Sequence, residues 1–124
     1  MTDRIRFITH QDKKVLLIDV SNCSADGVEN IFRSVPDFVT AQPRGSVLIL
    51  SDFTGASFSE DAIRVMKETA VFDKAYVKKS AWTGKSRDPE VVSENVTGKL
   101  GDFARREFPV FETREEALAW LTKD

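Results

Sequence analysis

Two predominantly apolar runs, at residues 15–20 and 46–51, constrain the fold of this chain more than any other feature. Runs of this length, bounded by turn-forming residues, are typical of strands that are buried on both faces of a sheet. After each run the apolar residues recur every three or four positions, and this spacing predicts a helix. Strands that alternate with helices imply crossover connections and a mostly parallel sheet. We therefore expect the two runs to be central strands of an α/β domain.

Three further segments have the character of strands. Residues 4–8 alternate between polar and apolar side chains, which predicts a hairpin with the first apolar run. Residues 79–83 are β-prone and are followed by a glycine. Residues 108–111 contain Pro109, and proline confines such a segment to the edge of a sheet.

Four helices complete the predicted pattern. Pro36 lies within the first, where it should cause a kink or a break. Capping boxes at 57–60 and 113–116 begin the second and the last, and the third begins near Pro89 or Glu90. The predicted fold class is thus α/β, with a mostly parallel central sheet of about five strands, one antiparallel edge strand from the N-terminal hairpin, and four helices. The last helix is expected to direct Ala117, Leu118, Trp120 and Leu121 inward.

Length, charge and cysteine content narrow the class of protein. The length of 124 residues predicts a single domain, 1–124. With 18 basic and 20 acidic side chains the net charge is -2, which provides no field to attract nucleic acid. No apolar run approaches the roughly 20 residues that a membrane-spanning helix needs, so no integral membrane segment is expected. The single cysteine excludes an internal disulfide and favours a cytoplasmic location.

Two segments resemble a known family. Residues 78–84 read Lys-Lys-Ser-Ala-Trp-Thr-Gly, and residues 111–121 follow the pattern F-x-T-x-E-E-A-L-x-W-L. On these segments the chain resembles the STAS/SEC14-like group of small bacterial proteins, which is related in fold to the anti-sigma-factor antagonist SpoIIAA. The resemblance implies a STAS/SpoIIAA-like fold. It also implies a non-enzymatic protein-binding or regulatory domain of the kind that acts as a partner-switching module.

The same resemblance points to a binding loop. Characterised members carry a phosphorylatable serine after an aspartate, where a strand-to-helix loop begins its helix. The matching loop here is 51–59, which lacks their Asp-Ser-Ser-Gly arrangement. By their position in this loop, Ser57 and Ser59 are the candidate phosphosites. A regulatory protein is the expected partner. The expected binding loop comprises Asp52, Phe53, Thr54, Gly55, Ser57, Phe58 and Ser59.

Phe53 and Phe58 leave several interpretations open. They either fold back as a hydrophobic staple or present an apolar surface to a partner. The SEC14 side of the resemblance suggests a carrier of a small apolar molecule or lipid, which needs a cavity of roughly 300–1,000 Å³. A homodimer through the 53–58 loop or the third helix is a further expectation. The candidate cavity lining is Phe53, Phe58, Phe72, Trp82 and Phe103.

No group of residues in the sequence predicts catalysis. The single histidine, His10, falls in the predicted hairpin turn, whereas Cys23 follows the opposite end of a central strand. A nucleophilic cysteine needs a nearby base, so Cys23 is expected to be a small buried thiol. Gly84-Lys85-Ser86 matches part of a phosphate-binding loop, but Lys79 stands where that motif needs glycine. We expect no catalytic residue, no cofactor and no metal.

Two groups of charged residues allow more than one interpretation. Asp19, Asp52 and Asp88 could gather at the carboxyl ends of the strands and bind magnesium or a basic group. Helix capping and loop hydrogen bonds explain the same carboxylates more simply. A basic patch is the second possibility, although a solvated face is the simpler interpretation. Its members would be Lys78, Lys79, Lys85, Arg87, Arg105 and Arg106.

Overall fold

The two apolar runs form the middle of a five-stranded sheet in the computed structural model, which describes residues 4–84 and 109–123. The strand order is β1-β2-β3-β4-β5; β1 is antiparallel to β2, and the other neighbours are parallel. This confirms the α/β class and the mixed sheet. The strands are β1 (Ile5–His10), β2 (Lys13–Asp19), β3 (Val47–Asp52), β4 (Val77–Thr83) and β5 (Val110–Phe111). The described helices are α1 (Ala25–Val39), α2 (Glu60–Phe72) and α3 (Arg114–Thr122).

Alternation along β2 divides the apolar side chains between two layers. Leu16 and Ile18 belong to the cluster beneath α1 and α2, whereas Val15 and Leu17 belong to the cluster beneath α3. All four are at most 1 % exposed, because the sheet is covered on both faces. The continuous apolar sequence of the central strands is thus the signature of a three-layer arrangement.

The N-terminal hairpin closes with a shorter turn than the sequence suggested. His10 pairs with Lys13, so it ends β1 and does not lie in the turn. The two turn residues, Gln11 and Asp12, have φ values of 54° and 64°. Positive φ at both positions is the geometry of the two-residue turns whose twist suits a hairpin.

Proline does not break α1. The helix continues through Pro36 to Val39, so the predicted break is wrong. Pro36 has no N–H to donate to the carbonyl of Phe32, four residues earlier. That carbonyl instead accepts a buried hydrogen bond from Thr69 Oγ1 on α2, at 3.3 Å. The neighbouring helix therefore satisfies the acceptor that proline leaves open.

Helix α2 begins two residues later than the expected capping box. Its N-cap is Ser59, whose side chain accepts a hydrogen bond from the backbone N–H of Ala62. The backbone N–H of Ser57 donates to the carbonyl of Cys23, at 2.9 Å, in the loop after β2. This tertiary bond fixes Ser57 to the neighbouring loop, and the helix begins at Glu60.

The C-terminal prediction is confirmed for its strand and its helix. Thr113 caps α3 by accepting a hydrogen bond from the N–H of Glu116. Ala117 and Leu121 are buried, but Leu118 and Trp120 are only partly buried and lie against Phe111 and the margin of the cluster. The predicted third helix, with Phe103, Asp88 and the basic residues from 85 onwards, lies outside the described residues. No helix in the described part of the chain is long and apolar enough to cross a membrane.

The hydrogen bond between the two helices can be tested by a double-mutant cycle. Thr69→Val should lower the free energy of unfolding by about 1–3 kcal/mol, because it leaves a buried carbonyl without a donor. In a Pro36→Ala background the new N–H of residue 36 supplies that donor, so the cost of Thr69→Val should shrink. Urea denaturation measures all four proteins. An equal cost in both backgrounds would contradict the compensation.

Candidate functional site at the carboxyl ends of the strands

The same turn occurs twice, at the ends of two neighbouring strands. Asp19 Oδ1 accepts hydrogen bonds from the N–H and the hydroxyl of Ser21, at 3.0 and 2.6 Å. Asp52 Oδ1 accepts the equivalent bonds from Thr54, at 2.9 and 2.7 Å. Asp19 and Asp52 are partners in the β2–β3 register, so the two turns lie side by side. Each carboxylate keeps its second oxygen for a partner beyond its own turn.

Arg114, the first residue of α3, binds both carboxylates. Its Nε and Nη2 lie 2.8 and 2.7 Å from Asp52 Oδ2, and Nη2 lies 3.5 Å from Asp19 Oδ2. Asp52 is only 5 % exposed, so its charge needs this partner. A second cation, Arg4, donates to the carbonyl of Ser21 at 2.7 Å and lies 3.7 Å from Asp19 Oδ1. We call Asp19, Asp52 and Arg114 the ion bridge.

The pKa of the Asp19 carboxyl is lower than its ordinary value. Burial alone raises the pKa of this carboxyl. The hydrogen bonds from Ser21 and the positive charges of Arg114 and Arg4 outweigh burial, and the net pKa is lower than its ordinary value. The structure thus brings Asp19 and Asp52 together with an arginine between them, and it also shows the loop hydrogen bonds of the simpler interpretation. Asp88, the third predicted member, lies outside the described residues.

The opposite end of α3 is held by lysines. Lys79 Nζ donates to the carbonyls of Trp120 and Lys123, both at 3.1 Å, and Lys13 Nζ donates to the carbonyl of Thr122 at 2.9 Å. Cations at a helix C-terminus bind its open carbonyls and favour its dipole. Lys79 thus anchors α3. Of the predicted basic patch, only Lys79 and its exposed neighbour Lys78 lie within the described residues.

The loop after β3 folds its aromatic side chain inward. Phe53 is fully buried, and its ring centroid lies 4.5 Å from that of Trp82, 5.3 Å from Phe58 and 6.1 Å from Phe32. Phe58 is partly buried against the same cluster. The staple interpretation therefore fits this loop better than an apolar docking surface. Thr54 and Ser59 are exposed, and Gly55 and Ser57 are partly buried.

Backbone contacts fix this loop to its neighbours. The N–H of Asn22 donates to the carbonyl of Thr54 at 2.7 Å, which ties the loop after β3 to the loop after β2. Gly84 has φ +91°, and a Cβ there would come within 2.6 Å of the Thr54 nitrogen. Glycine is therefore required at 84 for conformation and for close approach of two backbones. This packing role explains why a glycine follows β4. No phosphate-binding loop is needed to account for it.

The remaining candidates stay apart. His10 pairs with Lys13 at the start of β2, whereas Cys23 lies beyond the end of that strand and is partly buried. Within residues 4–84 and 109–123, no three His, Cys, Asp or Glu side chains are placed to hold a metal ion. A small cavity of about 30 Å³ lies among Phe32, Ile49 and Trp82. A cavity of that size holds about one water molecule.

Comparison with known proteins identifies the fold. No family model matches the chain, and no curated protein matches it. Among solved structures it is similar to an uncharacterised protein of the DUF3478 family from Shewanella loihica PV-4, which has a SpoIIAA-like fold. The match has a TM-score of 0.66 and 18 % sequence identity, and it covers 94 % of this chain and 91 % of the other. This chain has a SpoIIAA-like fold. The resemblance seen in the sequence is therefore confirmed at the level of the fold.

Sequence reasoning missed Arg114. The residue lies inside the capping box of α3, where its neighbours suggested only a helix start. An arginine at the positive end of a helix is unfavourable by itself, and this is the signal that a strong anionic partner was needed. The register of β2 and β3 supplies that partner.

Removing Arg114 from the ion bridge should lower the free energy of unfolding strongly. Arg114→Met should cost about 3 kcal/mol, the low end for breaking a buried ion pair, because the arginine itself is partly exposed. The cost should fall in an Asp52→Asn background, where no charge is left unpaired. Arg64→Met is the matched control, since Arg64 makes only exposed pairs on α2 and should cost under about 1 kcal/mol. Equal costs for Arg114 and Arg64 in chemical denaturation would contradict the ion bridge.

The lowered pKa of Asp19 predicts acid sensitivity with a definite sign. The folded protein binds this proton less readily than the unfolded chain, so Asp19 stabilises the fold above the ordinary carboxyl pKa of about 4. That contribution is lost as the pH falls below this value and through the folded pKa. The free energy of unfolding should therefore fall less steeply with acidification in Asp19→Asn than in the parent. Urea titrations at a series of acidic pH values measure the two slopes; parallel slopes would show that Asp19 contributes nothing.

Proposed function

We propose that this protein is a non-enzymatic protein-binding module of the regulatory, SpoIIAA-like type, which contacts its partner through the loop after β3. The supporting observation is that the loop exposes Thr54 and Ser59 and is yet held firmly. Phe53 is its buried anchor, and the hydrogen bonds from Asn22 and Ser57 tie it to the loop after β2. A preorganised loop loses little entropy on binding, which favours recognition through a small polar surface.

Phosphorylation would act on this surface at Ser59. Ser59 is exposed and caps α2, whereas Ser57 is partly buried and its N–H is bonded to Cys23. A phosphate at a helix N-terminus favours the dipole, but Glu60 and Asp61 would repel it. We infer that the modification would change both the cap and the charge that the loop presents. Ser59 is therefore the stronger of the two candidate phosphosites.

A carrier of a small apolar ligand has less support. In the part of the chain that the structure describes, the cavity of about 30 Å³ is far below the roughly 300–1,000 Å³ that such ligands occupy, and the space of about 240 Å³ between α1 and α2 is an open groove. Of the candidate lining residues, Phe53 is buried in aromatic contacts, whereas Phe72 is 63 % exposed at the end of α2. Phe53 and Phe72 thus lie in different surroundings.

Site-specific photo-crosslinking tests the docking loop. A benzophenone amino acid at Asp61, which is exposed beside the loop, should yield a discrete covalent adduct with a partner protein in the native cells. The same group at Lys14, an exposed residue of β2 beside the hairpin turn, is the control. Mass spectrometry identifies the adduct. Equal labelling at both positions, or none at Asp61, would contradict docking through this loop.

The modification is tested separately. Protein isolated from the cells that produce it should contain a fraction heavier by one phosphate, and fragmentation should place that phosphate at Ser59. The Ser59→Ala variant should lack this fraction. A parent protein without phosphate under all growth conditions would remove the switch from the proposal and leave the binding.

A further inference from the structure

An open groove of about 240 Å³ runs between α1 and α2 on the surface of the protein. It lies far along both helices from their first turns, so it is separate from the docking loop that precedes α2. The side chains that line it are Arg33 and Pro36 from α1, and Val65, Glu68, Thr69 and Phe72 from α2. The groove is thus built from one wall of each helix.

The end of this groove carries exposed apolar surface. Phe72 is 63 % exposed and its neighbour Val71 is 41 % exposed. Within the described residues the other exposed large apolar side chain is Val110, on β5. An exposed aromatic ring beside a groove is the kind of residue that contributes most to binding energy when it is buried in an interface.

The two walls of the groove carry opposite charges. Arg33 on α1 is 54 % exposed, and its pair with Glu29 is long, at 3.7 Å. Glu68 on α2 is 66 % exposed, and its pair with Arg64 is also long, at 3.8 Å. Exposed pairs of this geometry contribute little, so both groups can turn to a new partner at small cost.

We propose that a second copy of this chain occupies the groove, in a two-fold symmetric dimer. A partner of uniform charge would be repelled by one wall or the other. A two-fold rotation instead places Arg33 of each protomer against Glu68 of its partner, and brings the two exposed Phe72 side chains together. The groove is self-complementary, which is what a symmetric interface requires.

The walls of the groove are already fixed in the single chain. Val65 is buried, and Thr69 donates its hydroxyl hydrogen to the Phe32 carbonyl, which holds the two helices at a set separation. A preformed surface keeps the cost of association low. Because Phe53 and Phe58 pack inward, the α1–α2 surface replaces the 53–58 loop as the interface. The loop stays open to another protein in the dimer.

Sedimentation equilibrium of the whole chain tests the dimer. The parent protein should be dimeric at micromolar concentration. Phe72→Glu should raise the dissociation constant by at least about thirtyfold, the loss expected for a hot-spot residue. Val110→Glu is the matched control: it places the same charge on an exposed apolar residue of β5 and should leave the dissociation constant unchanged. Circular dichroism and thermal melting confirm that both variants fold.

Charge exchange tests the orientation of the two copies. Arg33→Glu and Glu68→Arg each place like charges together twice in a symmetric interface, so each should raise the dissociation constant by about tenfold or more. The double variant restores opposite charges and should recover the affinity of the parent. A parent that is monomeric throughout, a dimer unaffected by Phe72→Glu, or a double variant no tighter than the single ones would overturn the proposal.

Discussion

The bond between Arg114 and the two aspartates holds the third layer of the fold in place. Only Ala117 and Leu121, with Thr122, are buried on α3, which is little apolar surface for a helix that must cover one face of a sheet. Charged contacts at both ends of α3 add stabilisation that its short apolar stripe does not provide. Arg114 is bound at the carboxyl ends of β2 and β3, and Lys13 and Lys79 bind the last carbonyls of α3 from the opposite end.

The other face of the sheet is organised differently. Helices α1 and α2 bury broad apolar stripes, and they meet each other through the hydrogen bond from Thr69 to Phe32. Phe53 lies where these helices, the end of β3 and Trp82 converge. The exposed side of the same loop can therefore be polar, because its anchoring is internal. Among the described residues, α1 and α2 leave an open groove between them, and that groove lies away from the loop.

Much of this fold could be predicted from local sequence patterns. The apolar runs, the hairpin and the helical spacing each depend on side-chain periodicity, which neighbouring residues determine. Four features depended on tertiary contacts that no local pattern contains. Pro36 is tolerated because Thr69 replaces its donor, and Ser59 caps α2 because Ser57 is bonded to Cys23. Phe53 is buried although its loop is polar, and Arg114 meets carboxylates from distant strands.

The length of chain between Arg114 and Asp52 has a consequence for the order in which the molecule assembles. The two residues are 62 positions apart, and the arginine reaches both carboxylates only when β2 and β3 are paired in register. A slip of one residue would turn either aspartate to the other face of the sheet. Because closing a long loop costs entropy before its contacts form, we expect this contact to form late in folding. Interactions that are missing from the folding transition state slow unfolding without speeding folding. On this expectation the ion bridge lengthens the lifetime of the correctly registered sheet.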